Sequence, residues 1–209
     1  VGMWGSLTFG YMLVSRMTYV IGVGLALTQQ ERRQHFTRRH GVTGGYERFR
    51  RMSLLLMLND VTAFIVLCVV TANTMHLPVP RSIQVAVGMV ISAVGITIKV
   101  WATARLGPQS YYWHNFFVPS DPVFPNPPGP YRYLKNPMYG VGYLQTYGFA
   151  LMCASWPGMI ASAFMHISIF VFNALVEKPH LQALRQQAAS LDGNTAPEGL
   201  KSGAAPRVD

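Results

Sequence analysis

The chain has 209 residues, half of them apolar and only 12% charged, and its 17 Lys and Arg against 8 Asp and Glu give a net charge of +9. That charged share is about half of what a soluble domain carries, which argues against a water-exposed globule. The basic residues lie between apolar runs and not along a soluble face, so the positive excess suits a membrane surface and excludes nucleic acid as the partner.

Runs of about 20 apolar residues cross roughly 30 Å of hydrocarbon at 1.5 Å per residue. Five such runs occur, at residues 4–27, 53–73, 83–104, 138–154 and 156–176. The first is too long and too polar at its start for a signal peptide, and no small-residue cleavage site follows it. The last two are joined only by Ser155, Trp156 and Pro157, which predicts a C-terminal helical hairpin. The expected fold is an all-α polytopic transmembrane bundle of about five spans. Residues 1–104 form the N-terminal spans, 105–186 the chemical core and 187–209 a small, polar, disordered tail.

The loop at 29–51 holds seven arginines, whereas the loop between the second and third spans holds only Arg81. Counting all loops and the tail, fourteen basic residues fall on one side and one on the other. The positive-inside rule then predicts an outer N-terminus and a cytoplasmic C-terminus. The membrane is the plasma membrane in a bacterium or the endoplasmic reticulum in a eukaryote. Cys68 and Cys153 lie within apolar runs and read as small buried hydrophobes. Arg16, Asn59, Asp60 and Lys99 also lie within or near these runs. An ionisable group there faces a partner or a cavity, so Asp60 is expected to pair with Arg16 or Lys99, or to serve a ligand. His166 reads as a hydrogen-bonded packing residue. The histidines lack metal-ligand spacing, so no metal is expected.

Three clusters fall on the predicted cytoplasmic side. The first is Tyr111 to Phe117, five aromatics around His114 and Asn115. It suits an interfacial belt or an aromatic cage for an amine or quaternary ammonium. The second surrounds Asn136 and Pro137, a preferred cap followed by a residue tolerated at the first helical position, which predicts a helix starting there. Tyr139, Tyr143 and Tyr147 recur every four residues, while Gly140 and Gly142 point to nearly opposite faces. One glycine could admit a ligand and the other a neighbouring helix; the alternative is an aromatic belt with packing glycines. The third cluster is Glu177, Lys178, Pro179 and His180, brought to the second by the hairpin. Glu177 could accept from ribose hydroxyls or an α-ammonium, and Lys178 or His180 could meet a carboxylate; the alternative is a snorkelling helix end.

Together these clusters resemble the integral-membrane methyltransferases of the phospholipid and isoprenylcysteine type. The resemblance rests on Gly129-Pro130-Tyr131-Arg132-Tyr133, Asn136-Pro137-Met138-Tyr139 and Glu177-Lys178, and covers roughly residues 104–184. Tyr112-Trp113-His114-Asn115-Phe116-Phe117, the segment 137–143 and Val176-Glu177-Lys178-Pro179-His180 are closer to the fungal-type phosphatidylethanolamine N-methyltransferases. Two positions depart from the family pattern: Lys178 replaces the second Glu of a Glu-Glu pair, and Asn115 replaces an acidic residue. The resemblance implies S-adenosylmethionine as cofactor and a membrane lipid as acceptor. On this likeness the cofactor residues are Tyr133, Asn136, Pro137, Tyr139, Gly140, Gly142, Tyr143, Glu177, Lys178 and His180. Arg105, Tyr112, Trp113, Phe116 and Arg132 would hold the lipid, with the two arginines on its phosphate. His114, Asn115 and Glu177 would form the catalytic set, His114 being the first candidate for the base. The alternatives are an O- or S-acceptor such as an isoprenylcysteine carboxylate, a nicotinamide-dependent sterol reductase, and a non-enzymatic membrane subunit.

Overall fold

A computed structural model describes residues 2–118 and 129–194, so the Pro-rich loop before Gly129 lies largely outside the described residues. Six helices follow in order: α1 Met3–Arg33, α2 His35–Val70, α3 Arg81–Tyr111, α4 Leu144–Met152, α5 Trp156–Phe172 and α6 Lys178–Asn194. Short 3-10 turns stand at His114–Phe116, Pro130–Arg132 and Val141–Tyr143, and a π-helical turn at Asn173–Glu177 joins α5 to α6. Among the described residues there is no strand. Four helices are long and apolar enough to cross a bilayer: Met3–Arg33, His35–Val70, Arg81–Gly107 and Trp156–Gln186. Their outer faces expose Leu7, Leu55, Val90 and Ile167, a surface suited to hydrocarbon and not to water. The chain is therefore an all-α, multi-pass membrane protein.

The predicted fourth span is corrected. Only nine residues of it, Leu144–Met152, are α-helical, about 13 Å of helix. Asn136 and Pro137 start no helix. The backbone instead turns through Gly140 N–H to Asn136 O, Gly142 N–H to Pro137 O and Tyr143 N–H to Gly140 O. Two glycines within three residues each cost roughly 1 kcal/mol against Ala in a helix, and looser turns replace it. The segment nevertheless runs back along α3. Contacts proceed from Thr103 Oγ1 with Met138 Sδ, through Ser92 Oγ donating to Gln145 O, to Gln84 Nε2 donating to Leu151 O. From Thr103 to Gln84, α3 rises about 28 Å, which the stretched segment covers with fewer residues.

Small residues make this contact possible. Gly88, Ser92 and Gly95 lie on one stripe of α3 at helical spacing. A Cβ at Gly95 would collide with the Gln145 backbone, and one at Gly148 with Ser92 and the Gly88 carbonyl. In lipid, where burial of apolar surface drives little, such close backbone packing holds helices together.

The arginine-rich stretch is helical, kinked at Gly41 (φ 72°, ψ 172°), and not a loop. α1 continues to Arg33, Gln34 adopts a left-handed conformation (φ 50°, ψ 39°), and α2 begins at His35. Gln30 explains the turn: its Oε1 accepts from the Phe36 and Thr37 N–H groups, which would otherwise be orphaned at the start of α2. Ser155 caps α5, its hydroxyl accepting from Gly158 N–H at 2.8 Å, with Pro157 in the first turn. α6 extends to Asn194, into the stretch expected to be without structure; residues 195–209 lie outside the described residues.

Arg16 ties the bundle together. Its side chain is 1% exposed and donates to Asp60 Oδ2 (2.9 Å), Ser168 Oγ (2.7 Å), Tyr143 OH (3.0 Å) and the Met165 carbonyl (2.7 Å). Of the two partners expected for Asp60, the structure selects Arg16. His166 stacks on Tyr143 and its Nδ1 lies 3.3 Å from Tyr147 OH, a hydrogen-bonded packing residue as predicted.

Candidate active site

The site is built around Glu177, the last residue of the π turn. Pro179, two residues on, has no N–H for the Leu175 carbonyl and would crowd it in a regular helix. The chain widens there by one residue, with Lys178 N–H bonded to Asn173 O. Widened turns of this kind recur at functional sites because they re-aim a side chain. Here the turn directs a buried carboxylate into a nest of neutral donors. Oε1 accepts from Trp113 Nε1 and Tyr139 OH, and Oε2 from Asn173 Nδ2 at 2.6 Å. A carboxylate offers about four acceptor sites. With three filled by the described residues, one is open to a ligand.

Trp113 reaches Glu177 from the turn that ends α3. Its backbone is left-handed (φ 56°, ψ 37°), a conformation that disfavours bulky side chains and persists only where packing enforces it. Its indole is wedged between the rings of Phe49 and Phe172. His180, one turn past Glu177, stacks on Phe116 with ring centroids 3.6 Å apart, and its Nδ1 lies 2.7 Å from Glu31 Oε1. That contact ties α6 to the arginine-rich end of α1.

Two cavities meet here. The first, about 630 Å³, is lined by Glu177, Trp113, Tyr139, Tyr131, Asn136 and His114, with Lys135, Lys178 and Arg185 among its cations. The second, about 380 Å³, is mostly apolar and reaches between α2 and α3, past Val61, Ile65 and Ile96, to Arg16, Asp60 and Lys99. Tyr111, Trp113, Met138 and Tyr139 belong to both and form the shared wall. Burial pushes the Tyr111 and Tyr131 phenols up to about 12, helped by neighbouring tyrosines and by the Glu177 charge respectively. Both stay neutral donors at physiological pH. His114 packs edge-on against Tyr46 and, among the described residues, leaves a buried Nδ1 without a partner, as His180 leaves its Nε2.

The residues singled out in the sequence are thus divided. His114, Asn115, Phe116, Trp113, Asn136, Tyr139, Glu177, Lys178 and His180 all line the larger cavity. Tyr143 lines the apolar one. Tyr133 is 76% exposed and turned away. Pro137, Gly140 and Gly142 stand behind the wall, where Gly142 lets the turn pack on Lys99. Tyr112 lies under the guanidinium of Arg50, 5.2 Å from its ring. Arg105 and Arg132 are exposed and line neither cavity. The sequence reading missed Asn173 and Tyr131 as site residues. Asn173 stands four residues before Glu177, so it carries a signal only once the carboxylate is known to sit on a helix.

Residues 83–187, half of the chain, match the family model described as phospholipid methyltransferase. Over 138 residues the chain is 32% identical to a phosphatidylethanolamine N-methyltransferase of Penicillium rubens, covering 64% of this chain and 14% of that protein. Enzymes of the same name from Chaetomium globosum and Saccharomyces cerevisiae are 28% and 29% identical, each over 64% of this chain. The matched stretch spans only 14% and 15% of those two relatives. No solved structure matches the chain. The match extends from the start of α3 through the π turn and most of α6, and so takes in the Trp113, Tyr139 and Glu177 nest: the chain belongs to the phospholipid methyltransferase family.

Proposed function

We propose that the chain transfers methyl groups from S-adenosylmethionine to the headgroup amine of phosphatidylethanolamine or its methylated derivatives, leading towards phosphatidylcholine. The observation that carries this reading is the pair of adjoining cavities, one holding a buried carboxylate and several cations and one apolar and lined by lipid-exposed residues. The names of the fungal relatives support the substrate class.

The larger cavity suits the cofactor chemically. Its volume lies within the usual range of small-molecule sites. Glu177 retains an acceptor site for an ammonium or a hydroxyl, and the faces of Trp113, Tyr111 and Tyr139 attract a sulfonium. Lys135, Lys178 and Arg185 suit the cofactor carboxylate. When bound, this group supplies an electrophilic methyl. The enzyme's own task is alignment of acceptor and donor where the two cavities adjoin, a contribution worth about 7–11 kcal/mol for well-positioned reactants. No covalent enzyme nucleophile takes part.

An ethanolamine amine attacks only when neutral. His114, which lines the larger cavity, is the candidate to accept the proton. Asn115 stands beside it where relatives of the fungal type carry an acid. The end bearing the Glu31–His180 contact and the arginines of α1 and α2 is the cytoplasmic one on the positive-inside rule. The cofactor then enters from the cytosol and the lipid sideways from the inner leaflet.

The test is incubation of the protein in lipid nanodiscs with methyl-labelled S-adenosylmethionine and phosphatidylethanolamine, followed by separation of the lipids. Label is expected in mono-, di- or trimethylated headgroups. Cofactor binding without labelled headgroups would mean a different acceptor, and absence of cofactor binding would overturn the reading as a whole.

A further inference from the structure

The apolar cavity contains a cation that the alignment of donor and acceptor leaves unused. Lys99 follows Gly88, Ser92 and Gly95 on the same stripe of α3 and lines the 380 Å³ cavity. Its Nζ lies 5.4 Å from the ring centroid of Tyr143, yet makes no hydrogen bond or ion pair among the described residues. Arg16 and Asp60 are within electrostatic reach, but they are paired with each other at 2.9 Å. Of the three charged residues on this wall, two cancel and Lys99 leaves one positive charge uncompensated. A charge at that depth is costly and marks the path of a ligand of opposite sign.

The way in defines that ligand. Val61 and Ile65 of α2 and Ile96 of α3 line the mouth and are exposed on the lipid-facing surface. A lipid passes such a mouth more readily than a hydrated ion. The position also defines it. Lys99 packs on Gly142, three residues from Tyr139, which belongs to both cavities.

We propose that Lys99 is the anion anchor of the acceptor site, its ammonium holding the phosphodiester of a membrane lipid drawn in between α2 and α3. The amine, one two-carbon link beyond the phosphodiester, then meets the wall of Met138 and Tyr139. The inference rests on reading the apolar cavity as the acceptor site, and deepens it. It assigns the phosphate to a residue inside the bundle, in place of Arg105 and Arg132, which line neither cavity. It also supplies a reason for selectivity: an acceptor without a phosphodiester leaves Lys99 unpaired.

The test measures binding of dihexanoyl phosphatidylethanolamine in detergent, without cofactor, to the parent chain and to Lys99→Met and Lys99→Arg. The methionine variant is expected to bind roughly 10- to 100-fold more weakly, the value of one hydrogen bond to a charged group, and the arginine variant to stay near the parent. Phosphatidylmethanol, with the phosphodiester and no amine, should compete on the parent and fail on Lys99→Met. A long-chain amino alcohol, with the amine and no phosphodiester, should bind both alike. Equal binding of the phospholipid by parent and Lys99→Met would overturn the proposal. So would displacement by inorganic phosphate as effective as by phosphatidylmethanol, since the site would then serve a free anion. Lys99→Met should melt no lower than the parent because an unpaired charge leaves apolar surroundings; if it melts lower, Lys99→Gln takes its place. A parent that binds phospholipid through Lys99 yet never methylates it contradicts the proposed reaction and leaves the anchor standing. A parent that methylates phosphatidylethanolamine, with unchanged lipid KM in Lys99→Met, contradicts the anchor alone.

Discussion

Among the described residues Glu177 is bonded by three neutral donors and by no cation, so its charge remains available to a positive ligand. Glu177→Gln keeps the shape but presents an amide to groups that all donate. Its affinity for S-adenosylmethionine, measured by titration calorimetry, is expected to fall roughly 10- to 100-fold, as for loss of a hydrogen bond to a charged group. Trp113 both donates to Glu177 and offers its ring to the shared wall. Trp113→Phe should slow the second and third methylations more than the first, because the product ammonium gains most from the indole face. Lipid products resolved over time check this, and equal slowing at each step would remove the cage from the account. Arg16 and Asp60 form the most buried ion pair among the described residues. Arg16→Met is expected to destabilise by about 3–5 kcal/mol through the abandoned carboxylate, and Arg16→Met with Asp60→Leu to recover most of it. Unfolding of the three chains in detergent measures the cycle.

At the scale of elements, the chain between Met138 and Met152 holds the two cavities in register with α3. Its short helix and turns are bound by backbone contact at Gly95 and Gly148. Gly95→Val should lower the melting temperature and weaken cofactor binding together, with a stability loss of about 1–3 kcal/mol as in other overpacked sites. An unchanged melt would show that the contact yields easily. This element was the least legible from sequence. Its apolar run has the length of a span, but periodicity does not reveal that two glycines convert the first third into turns. The arginine-rich arms depart from their expected form for the opposite reason. Their polarity suggests a loop, whereas Gln, Glu and Arg are good helix formers and Gln30 supplies the missing partners at the turn.

At the scale of the whole molecule, the smaller cavity is lined by lipid-exposed residues of α2 and α3, while the larger is lined from the turn after α3, the π turn and α6. Ile65→Trp with Ile96→Trp narrows the lateral mouth. Methylation of long-chain phosphatidylethanolamine is expected to fall at least several-fold while S-adenosylmethionine affinity stays the same. A rate assay beside a binding titration distinguishes the two, and a parallel loss of cofactor binding would mean that the mouth is not a separate entrance.

Much of this protein was determined by sequence alone: its residence in a membrane, the positions of its four long helices, the cluster residues Trp113, Tyr139 and Glu177, and the pairing of Asp60 within the bundle. These follow from hydropathy, the cost of buried charge and local residue chemistry, all of which act through near neighbours in the chain. Only the tertiary structure decided that Arg16 and not Lys99 takes Asp60, that Tyr133, Arg105 and Arg132 line neither cavity, and that a cavity holding the Glu177 carboxylate adjoins one reaching Lys99 through shared lining residues. Those outcomes depend on how far the α3 stripe lets another backbone approach and on which face each turn presents. Both are set by contacts between residues distant in the chain, which spacing in sequence does not encode.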